Sequence, residues 1–481
     1  MANISFEIEL TIGEGEEQEI VLFTPADILS ATLVEQVDPI SLTLPISELN
    51  FKVYTTDPRF GIYAENEFSQ SLTLRQPVRL YLTYQLQRYL MGTYYLDSWK
   101  SPAHYRYEFK AVDTIGLMDS ITYDGSYWAN DTPLQLVLAD VLEPGGISFS
   151  ISDELAEFKL RGFLPPGTLR ESIQQIALAA GSIVLCYGDK SIYLEPVKLP
   201  YRGEPAIYTI SDEERLEQQE INIKQIITDI EVNSHEYVGQ NERIETIFQN
   251  YLEPGEYKIR FTKPYYNIEV TGIGYPQDNL ATEDGFWLIT EDGFEVVVSE
   301  EYVYGPNYIY LYVYEPGGEV TITGYPMVEY RQTYSFRESG LSPYQTANSI
   351  VIENATLVNT SIASNVLALL RDYHRQRYEQ KARTIESYMI TPEYVYSYRY
   401  FPQFYWSVDY WCELYIGTIE VPVELSYIVP DELLVKFHPG EVARISATDG
   451  KFIRGAIEQI DYDLAGGMLT KLRIVGVEDG N

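Results

Sequence analysis

The first third of the chain alternates. Phe6, Ile8, Leu10 and Ile12 are spaced by polar neighbours, a polar turn over Gly13–Glu19 follows, and Ile20–Phe23 runs back. A period of two across a turn predicts antiparallel strands with one face on a core. Further strands are expected at Val78–Tyr84, Thr93–Trp99 and Tyr105–Val112. Pro25, Pro39, Pro45, Pro58 and Pro77 keep these segments short, which suits a barrel better than a long flat sheet. Residues 1–118 therefore read as one β domain.

The period changes after that. Thr132-Pro-Leu-Gln135 has the form of a capping box opening a helix to Leu142, stopped by Pro144-Gly145-Gly146. Thr168-Leu-Arg-Glu171 is a second such box; Leu169, Ile173, Ile176, Ala177 and Ala180 then share a face, and Gly181 supplies the stop. A hairpin over 182–196 follows, so 119–200 is a small α/β unit. Residues 201–235, 331–385 and 437–481 read as a second β-barrel, with a long helix over 361–383 whose Ile362, Val366, Leu369, Leu370 and Tyr373 line one side. That helix also carries the basic cluster Arg371, Arg375, Arg377, Lys381 and Arg383, expected to be solvated or paired with acidic neighbours.

Two segments interrupt this plan. Residues 236–330 have turns at regular spacing and read as an inserted β-sandwich-like domain. Thr-Glu-Asp-Gly-Phe occurs there twice, at 282–286 and 290–294, as paired turns without the ligand order of a calcium loop. Residues 386–436 form an aromatic-rich insertion. Tyr394, Tyr396, Tyr398, Tyr400, Phe404, Trp406 and Trp411 are candidate contacts for a partner or a glycan, because such rings offer stiff area with a polar handle. A hairpin with aromatics paired across its strands accounts for them equally well. The fold class expected is mainly β (α+β).

Charge narrows the function. The chain of 481 residues holds 34 basic and 71 acidic residues, a net of -37. A protein this acidic does not grip a phosphate backbone, which needs Lys and Arg to release counterions. The charge is uneven: 236–330 carries 4 basic and 17 acidic residues, and 331–481 carries 14 and 19. Cys186 and Cys412 are too few and too separated for a disulfide framework or a metal site. No secretory leader and no membrane-spanning apolar run is expected, which fits synthesis in a cytoplasm.

Nothing points to catalysis. His104, His235, His374 and His438 are scattered, and no nucleophile elbow, Walker loop or dinucleotide loop is present. Cys186 sits in an apolar stretch and reads as a small packed residue. The expectation is no enzyme, no cofactor and no metal.

Several blocks, taken in order, resemble the tail hub proteins of long-tailed bacteriophages, the late control protein D-like family. They are Thr24–Thr32 with Asp38–Phe51, Met91–Trp99, Phe109–Leu117, Gly162–Pro166, Leu169–Gly181, Tyr373–Gln380 and Gly455–Gly467. No single block is diagnostic; the order carries the likeness, over about two thirds of the chain. The resemblance implies two β-barrel hub domains per chain, an outlying α/β domain and a homotrimer. Its ring would join the tail tube protein to other tail-tip, baseplate or spike proteins in the virion and let viral DNA through. It says nothing of 236–330 and 386–436. A tail adhesin that binds a cell-surface glycan is the alternative, and a tail-associated wall hydrolase the third.

Overall fold

The computed structural model describes residues 4–13, 18–57, 60, 72, 74–84, 87–186, 190–198, 206, 208–210, 220–223, 227–240, 243–273, 302–314, 317–337, 348–374, 376–377, 419–420, 423–429, 438–446, 452–464 and 470–479. The fold is mainly β, as expected. The alternating N-terminal stretch forms β1 (Ile4–Ile12), β2 (Glu19–Phe23), β3 (Ile28–Gln36), β4 (Glu48–Tyr54), β5 (Pro77–Tyr84), β6 (Gln87–Ala103) and β7 (Arg106–Val112). Phe6, Ile8, Leu10 and Ile12 all point inward and are buried. Phe51 and Phe109 stack beneath the sheet at 4.9 Å between ring centres.

A helical unit follows, with α1 (Thr114–Asp119), β8 (Thr122–Tyr123), β9 (Ser126–Pro133), α2 (Leu134–Leu142), β10 (Ser148–Ile151), β11 (Lys159–Leu164), β12 (Gly167–Thr168), α3 (Leu169–Ala180), β13 (Ser182–Leu185) and β14 (Ser191–Pro196). The capping box at α3 forms in full, with Thr168 Oγ1 accepting from the Glu171 amide and Glu171 accepting from the Thr168 amide. Gly181 closes that helix at φ 62°, where a side chain would be strained. The box expected at Thr132 does not form. β9 runs through Thr132 and Pro133 in a ladder with β11, so Pro133 takes the cap position, and the Leu134 amide donates to the Phe158 carbonyl instead.

The remaining strands are β15 (Tyr208–Ile210), β16 (Glu220–Ile223), β17 (Ile227–Gly239), β18 (Glu245–Leu252), β19 (Gly255–Arg260), β20 (Tyr265–Thr271), β21 (Tyr302–Gly305), β22 (Tyr308–Val313), β23 (Gly318–Arg337), β24 (Asn348–Ala355), β25 (Gln376–Arg377), β26 (Ile419–Glu420), β27 (Val423–Val429), β28 (Val442–Ser446), β29 (Phe452–Asp463) and β30 (Thr470–Asp479). Helix α4 (Ala363–His374) follows β24.

Thirteen strands make one sheet, in the order β16-β27-β30-β29-β3-β4-β7-β6-β5-β1-β2, with β28 and β15 branching from β29. The two ends of the chain meet at β3 and β29, antiparallel from Gln36 opposite Gln459 to Thr32 opposite Asp463. One core underlies both. Leu33, Phe51, Leu80 and Phe109 from the N-terminal strands pack with Ala443, Ile457, Tyr462 and Ile474 from the C-terminal ones.

Strand pairing departs from the expected boundaries in three places. The breaks at 235/236 and 330/331 fall inside β17 and β23, which pair continuously from Asp229 opposite Arg337 to Gly239 opposite Met327. Ile230, Val232, Leu357, Val358, Ile362, Val366 and Leu370 join the core of the α/β unit, not that of the large sheet. Their apolar face is satisfied by α2 and α3. β27 lies within the expected aromatic insertion, yet pairs along β30 and so belongs to the large sheet. Helix α4 also ends at His374, well short of 383, and Gln376–Arg377 pairs with Ile419–Glu420.

The described part of the insert has its own core of Phe261, Tyr265, Ile268, Ile309, Leu311, Val313, Val320 and Ile322. It is carried on the β17/β23 ribbon. The repeated Thr-Glu-Asp-Gly-Phe turns lie outside the described residues.

Candidate functional site

The seam between β3 and β29 holds a group of enclosed titratable side chains. Glu35, on β3, accepts from Tyr462 of β29 at 3.0 Å and from Tyr94 of β6 at 3.3 Å. Both phenols are buried. Burial pushes the Glu35 carboxyl above its ordinary range, against the Tyr462 hydrogen bond and the nearby His438, which pull it down. Both phenols are held well above the usual tyrosine range, by burial first and by the Glu35 charge second.

Asp113 stands on the same side, as the cap of α1. Its Oδ1 accepts from the Gly116 amide at 2.9 Å and its Oδ2 from the Ser47 amide at 3.0 Å. Desolvation outweighs these bonds and lifts its carboxyl to about 6. Glu35, Asp113, Tyr94, Ser47, Cys186 and His438 line one cavity of about 40 Å³, room for roughly two or three waters. Cys186 is half-buried at its wall, consistent with a packed thiol. Among the described residues, no three His, Cys, Asp or Glu side chains converge where a metal ion could bind. No described helix is long and apolar enough to cross a membrane.

A second polar group joins the insert to the α/β unit. Asp124, between β8 and β9, accepts from Lys258 Nζ at 2.6 Å, from Tyr310 at 3.1 Å and from Arg260 at 3.4 Å. Burial works to raise the Asp124 carboxyl, but these donors and their charges outweigh it and leave it below the ordinary range. Beside this anchor, the Tyr266 ring packs on Gly239, where an added Cβ would come within 2.6 Å of it, and Tyr127 meets Tyr266 edge-on at 6.1 Å.

The outer face of β22 is a row of tyrosines. Ile309, Leu311 and Val313 point into the insert core, so Tyr308, Tyr310 and Tyr312 all face outward. Tyr312 meets Tyr314 edge-on at 4.8 Å, and Lys258 lies 4.7 Å from the Tyr310 ring. Among the described residues of this domain, Tyr251, Tyr304, Tyr310, Tyr312 and Tyr330 are exposed.

No protein-family model matches the chain, and no curated relative does. Its structural neighbours include phage tail and baseplate proteins. The fold is similar to prophage tail protein gp18 from Listeria monocytogenes EGD-e, at 9% identity and a TM-score of 0.45 over 98% of this chain and 94% of that one. It is similar to the tail protein from Neisseria meningitidis MC58, at 9% identity and a TM-score of 0.47 over 98% and 96%. The 43 kDa tail protein of prophage MuSo2 from Shewanella oneidensis aligns at 10% identity and a TM-score of 0.45 over 98% of each chain.

All seven aromatics singled out from sequence (Tyr394, Tyr396, Tyr398, Tyr400, Phe404, Trp406 and Trp411) lie outside the described residues. The tyrosine row of β22 was missed, although its Tyr-Ile-Tyr-Leu-Tyr-Val alternation is legible in the sequence. Glu35 was missed for a different reason: nothing local distinguishes it from the chain's other carboxylates.

Proposed function

We propose that this chain is a structural protein of a bacteriophage tail, the subunit of a hub ring at the tail tip or baseplate. Three copies close the ring, the tail tube sits on one face, spike or baseplate proteins sit on the other, and DNA passes through. The observation that carries this reading is the β3–β29 ladder, which welds the two chain ends into one curled sheet over a common core. Among the described strands, the main run of that sheet ends in two unlike edges, β2 and β16, and its branch ends in β15. Unlike edges favour head-to-tail contacts, and head-to-tail contacts that close give a cyclic ring. The net charge of -37 suits a wall that repels passing phosphates.

Light scattering across a concentration series tests it. A discrete species of three times 55.2 kDa, about 166 kDa, with a central pore in negative-stain images supports the ring. A monomer at every concentration and with purified tail tubes present removes it.

A second reading is favoured by the exposed tyrosines of the insert, which suit a glycan-contacting surface on the same particle. Glycan-array binding lost in a Tyr310→Ala, Tyr312→Ala double variant supports it, and an array without signal for the wild-type chain counts against it.

A further inference from the structure

The outward face of β3, β4, β7 and β6 departs from the charge of the rest of the chain. It forms a trough of about 490 Å³ whose lining includes Thr32, Asn50, Lys52, Lys100, Glu108 and Lys110. The strand register explains the grouping. Lys52 of β4 and Lys100 of β6 both lie opposite Glu108 of β7, and Asn50 and Ser98 flank Lys110 one step along. The opposite face of these strands is the apolar core, so the polar set points outward.

Three ammonium groups there share two carboxylates. Lys52 Nζ lies 2.8 Å from one oxygen of Glu108, and Lys100 Nζ lies 3.0 Å from the other. Lys110 pairs with Glu48 at 2.7 Å. Glu108 thus serves two cations at once, while Lys52 and Lys100 stay 54% and 72% exposed, with N–H donors left for another acceptor. In a chain with 71 acidic against 34 basic residues, this is a local reversal of sign.

We propose that this trough receives the acidic β1–β2 end of a second copy of the chain. The sequence between β1 and β2 holds Glu14, Glu16 and Glu17, and Glu19 opens β2. Next to it, β2 ends the sheet among the described residues, with Ile20 55% and Leu22 46% exposed, an edge that pairing or cover would protect. The three carboxylates of that turn meeting three lysines across unlike surfaces is a head-to-tail contact, the kind that propagates around a ring. Duplex DNA fits less well. Its phosphates, one per roughly 1.7 Å, would meet Glu108 in the trough, Glu48 paired with Lys110, and a chain of strong like charge around it. This contact rests on the ring reading above and specifies one of its interfaces.

The test is charge exchange in the full chain, read by light scattering at low and at moderate salt. Lys52→Glu with Lys110→Glu is expected to raise the concentration needed for assembly by about tenfold or more. Glu16→Lys with Glu17→Lys is expected to do the same, and the four changes together to restore assembly. Lys159→Glu, an exposed lysine of the α/β unit, should leave it unchanged. If the reversed lysines unfold the chain by circular dichroism, Lys52→Gln with Lys110→Gln should still weaken assembly. A wild-type trimer unmoved by either lysine pair overturns the trough and leaves the ring. Weakening without rescue overturns the β1–β2 end as its occupant. Lysine variants that lose retention of a duplex oligonucleotide at unchanged mass overturn the proposal in favour of nucleic acid. A wild-type chain that never assembles overturns the ring reading, and this contact with it.

Discussion

Tyr462 donates to Glu35 at 3.0 Å although the two residues are 427 positions apart. Tyr94 reaches the other oxygen of the same carboxylate, so one side chain of β3 is gripped from β29 on one side and from β6 on the other. Without a direct bond between its ends, the chain would be free to fold as two β units joined by a long connection. The seam makes them one body.

Tyr462→Phe should therefore destabilise the chain by about 1–2 kcal/mol, since a buried carboxylate loses a donor. Glu35→Gln should cost a comparable amount. The double variant should cost less than the sum, with a coupling of about 1 kcal/mol. Urea denaturation of the four proteins measures it, and strict additivity would mean the contact contributes nothing.

The seam also sets a pH dependence. Asp113 is lifted from 3.8 to about 6 by burial, so the folded chain binds its proton more tightly than the unfolded chain does. Its contribution is fully present below pH 4 and is lost as pH rises through 6, on the order of 3 kcal/mol at most. Glu35, raised by the same cause, acts in the same direction. Denaturation midpoints of wild type and Asp113→Asn should thus differ in slope between pH 4 and 6.5. Parallel curves would refute the assignment.

Asp124→Ala should leave global stability within about 1 kcal/mol, because Lys258 and Arg260 remain 31% and 67% exposed and surface pairs contribute little. The effect should be local. Hydrogen exchange over β19 and β22 should rise while β17 and α3 keep their protection. Unchanged exchange would show that the ribbon alone holds the insert in place.

Thr168→Ala removes one half of the α3 capping box and should cost about 1 kcal/mol, with Thr168→Ser restoring most of it. Thr132→Ala, at the box that does not form, should be close to neutral in the same thermal melts. Equal losses at the two sites would contradict the caps described.

Some of this molecule was legible before any coordinates. The inward face of β1 and the α3 helix with its Thr168 cap and Gly181 stop follow from spacings of two to four residues. Such spacings are enforced by the backbone itself, so they leave a trace in sequence. The Thr132 box shows the limit of that trace. Its spacing was right, but a ladder to β11 had already claimed the backbone.

The seam, the two unlike sheet edges, the trough of lysines and the β17/β23 ribbon running through the expected domain breaks were decided by tertiary structure alone. Each depends on which strand lies beside which, and strands from opposite ends of the chain pair with no local signature. The sequence by itself determined that this is a strand-rich, acidic protein with a helical unit near its middle. Only the packing decided that its two ends are one sheet, because a shared core buries more apolar surface than either end could cover alone.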